Sequence, residues 1–299
     1  MKRIIEISEN SCKLNIRYGQ LVIASQNGIE RSIPCEDIGI LLIDNSAVLY
    51  THSVFTELLN CRAAVVLCNG EHNPAGMLLP IDSNSVQTER QKQQTQASQP
   101  LKKRLWKQLI KAKITHQGKI ISNYNPEVGI GIAELASKVK SGDPENIEAR
   151  ASRLFWKYFL GGRKFKRQRG GEPPNNLLNY GYMVLRAATA RAICCAGLLP
   201  TLGIHHCSRY NSFCLADDIM EPFRGYIEEK VLNIWHENPN PAELQDLSQL
   251  HKARLLETLH SSIEMEGVSG PLMTGLHKTA ASLTKCFDRS AKKLSLPEL

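Results

Sequence analysis

The stretch from Leu177 to Leu199 is apolar nearly all the way round a helical wheel. Such a helix cannot lie on a surface; it needs other elements packed on every side. The chain must therefore build a helical body around this segment, and 299 residues suffice for one large domain or two modest ones with a full core. Upstream the pattern differs. Ile4–Ile7, Lys13–Arg17, Leu21–Ala24, Ile40–Ile43 and Ala63–Cys68 are short and rich in Ile, Leu and Val. Tyr18-Gly19, Asn27-Gly28, Asp44-Asn45 and Asn69-Gly70 punctuate them, so they predict strands, with one short helix over 51–61.

Between these regions the run SNSVQTERQKQQTQASQP is polar and Gln-rich, and reads as a linker or an exposed helix. From Leu101 a helical period takes over. Leu101, Leu105, Leu109 and Ala112 share a stripe, with Lys102, Lys103, Lys107, Lys111 and Lys113 around it. Asp143-Pro144 predicts the cap and first turn of a helix running to Leu160, closed by Gly161-Gly162. Glu221–Trp235, Leu244–Ser261 and Leu276–Lys293 predict further helices, and no internal repeat is present. The fold class expected is α+β: a small β-rich N-terminal domain (1–80), a linker (81–100) and a larger all-helical C-terminal domain (101–299).

Hydrophobic content of 42% and charged content of 22% are ordinary for a globular protein. No apolar run reaches the ~18 residues of a membrane span. The opening MKRIIEISENS lacks the apolar core of a secretory signal, so a cytoplasmic protein is expected. Nine cysteines, an odd number without C-x-x-C spacing, argue against a disulfide framework or a structural zinc site. The net charge of +8 is uneven: −3 over residues 1–90, +12 over 91–180 and −1 over 181–299. Concentrating the excess in the middle third favours a polyanion-binding face, nucleic acid above all, over a merely solvated helix surface.

The densest chemistry lies in GIHHCSRYNSFCLADDIMEPFR, residues 203–224. It offers His205, His206, Asp217, Asp218 and Glu221, and imidazole with carboxylates suits a hard divalent cation. Asp218 and Glu221 are one helical turn apart, and three carboxylates on one turn repel unless a cation relieves them; an acidic first turn facing the helix dipole is the plain alternative. Adjacent histidines rarely point into one site together, so one of the pair is a bystander. Glu148 sits on or beside the apolar face of the Asp143–Leu160 helix and needs a partner, a metal or a salt bridge to Arg186 or Arg191. The loop GGRKFKRQRGGEPPNN (161–176) places Arg163, Lys164, Lys166, Arg167 and Arg169 among glycines as candidate phosphate contacts. Within it Phe165 either stacks on a base or anchors the loop to the core. A metal site beside a +12 segment points to phosphodiester chemistry.

LGIHH followed by NSFCLADDIMEPFR, a preceding NNLLNYGY helix and a glutamate 58 positions before the second histidine resemble the CRISPR-associated integrase family called CRISPR-associated protein one, in its type II-like form. Ser212 stands where related sequences often carry proline. The resemblance implies a metal-dependent DNA endonuclease and integrase with Glu148, His206 and Glu221 as catalytic metal ligands, Asp218 supporting them, and Mg²⁺ or Mn²⁺ as cofactor. It further implies a homodimer formed through the β-rich domain and a heterohexamer with CRISPR-associated protein two. Its DNA would be double-stranded, the prespacer and the CRISPR repeat. Two rival classes stay open on the residues alone: a non-catalytic DNA-binding scaffold, and a metal-dependent phosphodiesterase of RNA or small substrates.

Overall fold

In the computed structural model, which describes residues 2–8, 10–70, 72, 74–238 and 240–298, strands dominate the first 80 residues. β1 (Arg3–Ile7) is followed by β2 (Cys12–Arg17), β3 (Gln20–Ser25), β4 (Glu30–Pro34), β5 (Ile38–Ile43), β6 (Leu49–Tyr50), helix α1 (His52–Asn60), β7 (Ala64–Cys68) and β8 (Pro74–Leu78). They form two four-stranded sheets, ordered β1-β5-β7-β8 and β4-β3-β2-β6. Tyr18-Gly19, both at positive φ (51° and 69°), make the tight β2–β3 turn whose twist matches the flanking strands. β4, β6 and β8 carry too little apolar patterning to stand out in the sequence.

β5 is buried along its whole length because both its faces are covered. Ile38, Leu41 and Ile43 pack in a core shared with β2, β3 and α1. Ile40 and Leu42, joined by Val66 of β7, pack instead against the helices. The same junction is bolted by polar contacts: Lys252 Nζ lies 2.6 Å from Asp44 Oδ2, the Tyr180 hydroxyl donates to Glu6 (2.9 Å), and Arg191 donates to the Arg62 carbonyl (2.6 Å).

The helical part comprises α2 (Gln87–Thr95), α3 (Gln99–Ser122), α4 (Pro126–Lys138), α5 (Ile147–Tyr158), α6 (Asn175–Cys195), α7 (Cys214–Met220), α8 (Arg224–Glu237), α9 (Gln249–Glu257) and α10 (Leu272–Phe287). The apolar-all-round segment is α6, ringed by α7, α8, α9 and α10 with β5 and β7 beneath. The polar run holds α2, whose Gln94 is 1% exposed and grips the chain beyond α6 through the carbonyls of Leu199 and Leu202.

Three expectations are corrected. The C-terminal part is not all-helical: β9 (Ser262–Met265) and β10 (Val268–Pro271) form a hairpin, because Glu266-Gly267 at φ 56° and 70° supply a two-residue turn. α5 starts at Ile147 rather than Asp143, since Asp143 and Asn146 adopt left-handed φ; the Asp143 carboxylate still caps the helix from outside, accepting from the Ile147 and Glu148 amides (2.9 Å each). Glu221 precedes α8 in a short 3₁₀ turn with Pro222 and Phe223. Among the described residues no helix is long and apolar enough to cross a membrane.

α3 and α4 approach closely through glycines. A Cβ on Gly129 would stand 2.4 Å from the Ser122 amide nitrogen and 2.6 Å from the Gly118 carbonyl, whereas one on Gly131 of the same helix meets nothing within 4 Å. Gly129→Ala should therefore lower stability by about 2 kcal/mol, and Gly131→Ala should leave it unchanged or raise it by up to about 1 kcal/mol. Urea melts of both variants measure the contrast.

Candidate functional site

α3 passes beside both acidic candidates, and Lys113 reaches from it to touch each. Its Nζ lies 2.6 Å from Glu148 Oε1 on α5 and 2.7 Å from Glu221 Oε2. Arg224 Nη1 donates to the other Glu221 oxygen at 2.9 Å, and the Ser152 hydroxyl donates to Glu148 at 3.0 Å. The Lys113 and Glu221 side chains are each only 7% exposed. The Lys113–Glu221 approach lacks hydrogen-bond alignment, so Glu221 Oε2 is a buried acceptor compensated by charge alone. Burial on its own would raise the Glu221 carboxyl, but Arg224 and then Lys113 overcome it and hold the group down to about 2. For Glu148 burial is likewise outweighed, by Lys113, and the group stays below the usual carboxylate range.

One turn along α3, the His116 ring lies where a Cβ on Gly225 would be, within 2.3 Å of it. The missing side chain lets α8 press onto α3 and brings Glu221 within reach of Lys113. The sequence sets Lys113 among the lysines around the apolar stripe and offers Arg186 or Arg191 as the Glu148 partner; the structure puts Lys113 on the stripe itself and makes it that partner. Arg186 pairs with Asp217 and Arg191 with the Arg62 carbonyl. The missed signal is a spacing of four, since Leu101, Leu105, Leu109 and Lys113 fall on one line and all four are buried.

Asp218 is fully buried at the head of the other half of the site. Its carboxylate accepts from the backbone amides of Ile204 (2.5 Å), His205 (2.9 Å) and His206 (3.1 Å), and from His206 Nδ1 at 2.6 Å. Gly203 is required here, because a Cβ would stand 2.2 Å from the His206 carbonyl oxygen. The Asp218 hydrogen bond raises the His206 imidazole above its ordinary value against burial, and the charges of Asp218, Glu221 and Asp217 add to it. His205 turns aside and stacks on Trp106 (4.1 Å, 4°). Asp217 faces Arg186 (2.6 Å) and Asn211 (2.7 Å), while Asn211 Oδ1 accepts from the Phe213 amide, so the loop closes with Ser212 in it.

Glu148 and Glu221 thus meet around one cation. Among the described residues no three His, Cys, Asp or Glu side chains form a ready-made metal cluster, so His206 does not complete one with them. The donor set nonetheless suits a hard cation: two carboxylates already gathered about a positive charge, one oxygen of them without a hydrogen-bond donor.

The basic loop divides in two. Lys164, Lys166 and Arg169 are exposed, as is Arg163, whose guanidinium lies 5.9 Å from the Trp235 ring centre. Arg167 folds inward, donating to Asn175 (2.9 Å) and Asn179 (2.7 Å), and so pins the loop to α6. Phe165 takes the anchoring role, packed 5.8 Å from Trp156 and 5.7 Å from Phe159. Arg167, Arg169 and Arg186 line one cleft with Tyr180 and Tyr182.

Residues 5–243 match the family model described as CRISPR associated protein Cas1. The chain is 35% identical over 293 residues, 97% of its length and 94% of the relative's, to the CRISPR-associated endonuclease Cas1 of Neisseria meningitidis serogroup C (strain 8013). Its fold resembles a casposase bound to integration product, with a TM-score of 0.80 and 17% identity over 98% of this chain and 92% of that one. It also resembles part of a Cas6-RT-Cas1–Cas2 complex, with a TM-score of 0.78 and 17% identity over 98% of this chain and 35% of that one.

The raised His206 value has a definite sign. A group favoured in its protonated form by folding stabilises fully below its unfolded value, 6.5, and that contribution is lost as pH rises through the folded value. In chelator, the melting-temperature gap between wild type and His206→Gln should be larger near pH 5.5 than near pH 9. Scanning calorimetry at the two pH values measures it, and a gap that widens with pH contradicts the assignment.

Proposed function

The chain belongs to the Cas1 family of CRISPR-associated proteins, and on that footing we propose that it is a metal-dependent DNA endonuclease and integrase. Its reaction is the joining of 3′-hydroxyl ends of short foreign DNA to the CRISPR repeat during adaptation. The observation that carries this reading is the meeting of Glu148 and Glu221, from separate elements, around one buried positive charge. Glu148, His206 and Glu221 would hold Mg²⁺ or Mn²⁺, since one imidazole among carboxylates suits these ions better than zinc. When bound, the metal polarises the scissile phosphate and stabilises charge on the leaving oxygen.

The remaining tasks fall to the chain. Asp218 holds Nδ1 of His206 and three successive amides, which orients the ring and leaves its Nε2 as the free nitrogen. Lys164, Lys166 and Arg169, with Arg163 beside them, bind phosphates and set the position of the strands without reading sequence. The protein would act in the cytoplasm as a homodimer joined through its β-rich domain, assembled with Cas2 in a heterohexamer, in the manner of type II-like members.

Lys113 already satisfies the two carboxylates, and that one fact favours a rival: a DNA-binding scaffold without catalysis. Strand transfer decides between them. A short 3′-hydroxyl duplex is offered to a repeat-containing plasmid with purified Cas2. Joining should fall by about 100-fold or more in His206→Ala, in Glu221→Ala and on chelation, and His205→Ala should retain it; undiminished joining in the first two leaves the scaffold reading. In filter binding, Lys164→Ala, Lys166→Ala and Arg169→Ala should each weaken DNA uniformly across sequences and reduce the log–log salt slope by about 1.

A further inference from the structure

We propose that Lys113 is an internal counter-cation: it holds the Glu148 and Glu221 carboxylates together in the metal-free protein and competes with a divalent cation for the space between them. The inference rests on the metal reading of this site and goes beyond it by assigning a task to a residue of α3. Lys113 is the side chain that touches both acids, at 2.6 and 2.7 Å, while itself 7% exposed. Without it, the half-buried carboxylate of Glu148 on α5 and the buried one of Glu221 would face one another with no cation between them, and mutual repulsion would part them. Arg224 cannot substitute, because it is committed to the far oxygen of Glu221 and lies against the Tyr182 ring at 4.3 Å.

Lys113 and Arg224 already stand against Glu148 and Glu221, and Arg224 is shared further with the buried Glu228 at 3.9 Å. A dication placed between the same two carboxylates would stand against the Lys113 ammonium, so the ammonium must withdraw or the ion must bind weakly. The contact with Glu221 Oε2 is an ion pair at 2.7 Å without hydrogen-bond alignment. A metal ligated there gains an oxygen that no hydrogen-bond donor holds. Lys113 is accordingly a positioning residue, and it sets the threshold of metal concentration at which the site loads.

The test is Mn²⁺ binding by calorimetric titration, together with melting temperatures in chelator and in saturating Mn²⁺, on the full chain. Lys113→Met should melt lower than wild type in chelator, recover to wild type or above in Mn²⁺, and bind Mn²⁺ about tenfold more tightly or better. If Lys113→Met does not fold without metal, Lys113→Met combined with Glu148→Gln, which removes the repulsion, should restore a cooperative melt in chelator. A deficit equal in chelator and in Mn²⁺, with unchanged affinity, would mean ordinary packing and overturn the exchange while the metal site stands. Absence of Mn²⁺ binding to both wild type and Lys113→Met would overturn the metal reading, and the exchange with it.

Discussion

Four charges of alternating sign meet where α3, α5 and the head of α8 come together, Lys113 and Glu221 buried and Glu148 and Arg224 partly so, and the rest of the site is arranged about them. A carboxylate as buried as Glu221 survives only with cations at contact, and Lys113 and Arg224 provide them from opposite sides. The demand propagates outward. Lys113 can reach Glu221 because Gly225 lets α8 settle against His116, and Glu148 can reach Lys113 because Asp143 caps α5 at that point. Arg224 in turn lies over Tyr182, whose hydroxyl donates to the buried Glu228 at 2.6 Å. Removing Lys113 would leave Glu148 with the Ser152 hydroxyl and no cation.

Much of this architecture was written in periodicity. α6 announced itself by apolar character all round, and the strands with Gly-containing turns were found nearly to the residue; β2 and β3 are the clearest. What escaped was set by geometry that a one-dimensional period cannot carry. The β9–β10 hairpin hid within stretches of ordinary helical composition, its sign being only the dipeptide Glu266-Gly267. α5 began late because two residues near Pro144 took left-handed backbone conformations, which proline at a first turn does not foretell. At the site, His206, Asp218 and Glu221 were legible as a cluster of donor types. Lys113 was not, because a lysine on an apolar stripe looks like a stray member of the basic face until its partners, 35 and 108 positions later, are folded against it.

The middle third shows the same lesson from the side of charge. Its excess of +12 is real, but a sum over a window assigns no direction to any side chain. Lys113 and Arg167 turn inward and act as structural cations, one between carboxylates and the other between asparagines. Lys164, Lys166 and Arg169 remain on the surface. Neighbouring residues of one basic loop thus divide between holding the loop's shape and facing whatever the loop binds, and Phe165, sealed against Trp156 and Phe159, keeps the two roles apart.

β5 has a consequence for how the molecule comes apart. Its residues belong to two different cores, Ile38, Leu41 and Ile43 to one made with β2, β3 and α1, and Ile40 and Leu42 to the other, made with the helices. Neither core can open without exposing one face of a wholly apolar strand. The two halves therefore share a common stake in one ladder of backbone hydrogen bonds, and a defect introduced in either is transmitted to the other as lost cooperativity rather than confined as local fraying.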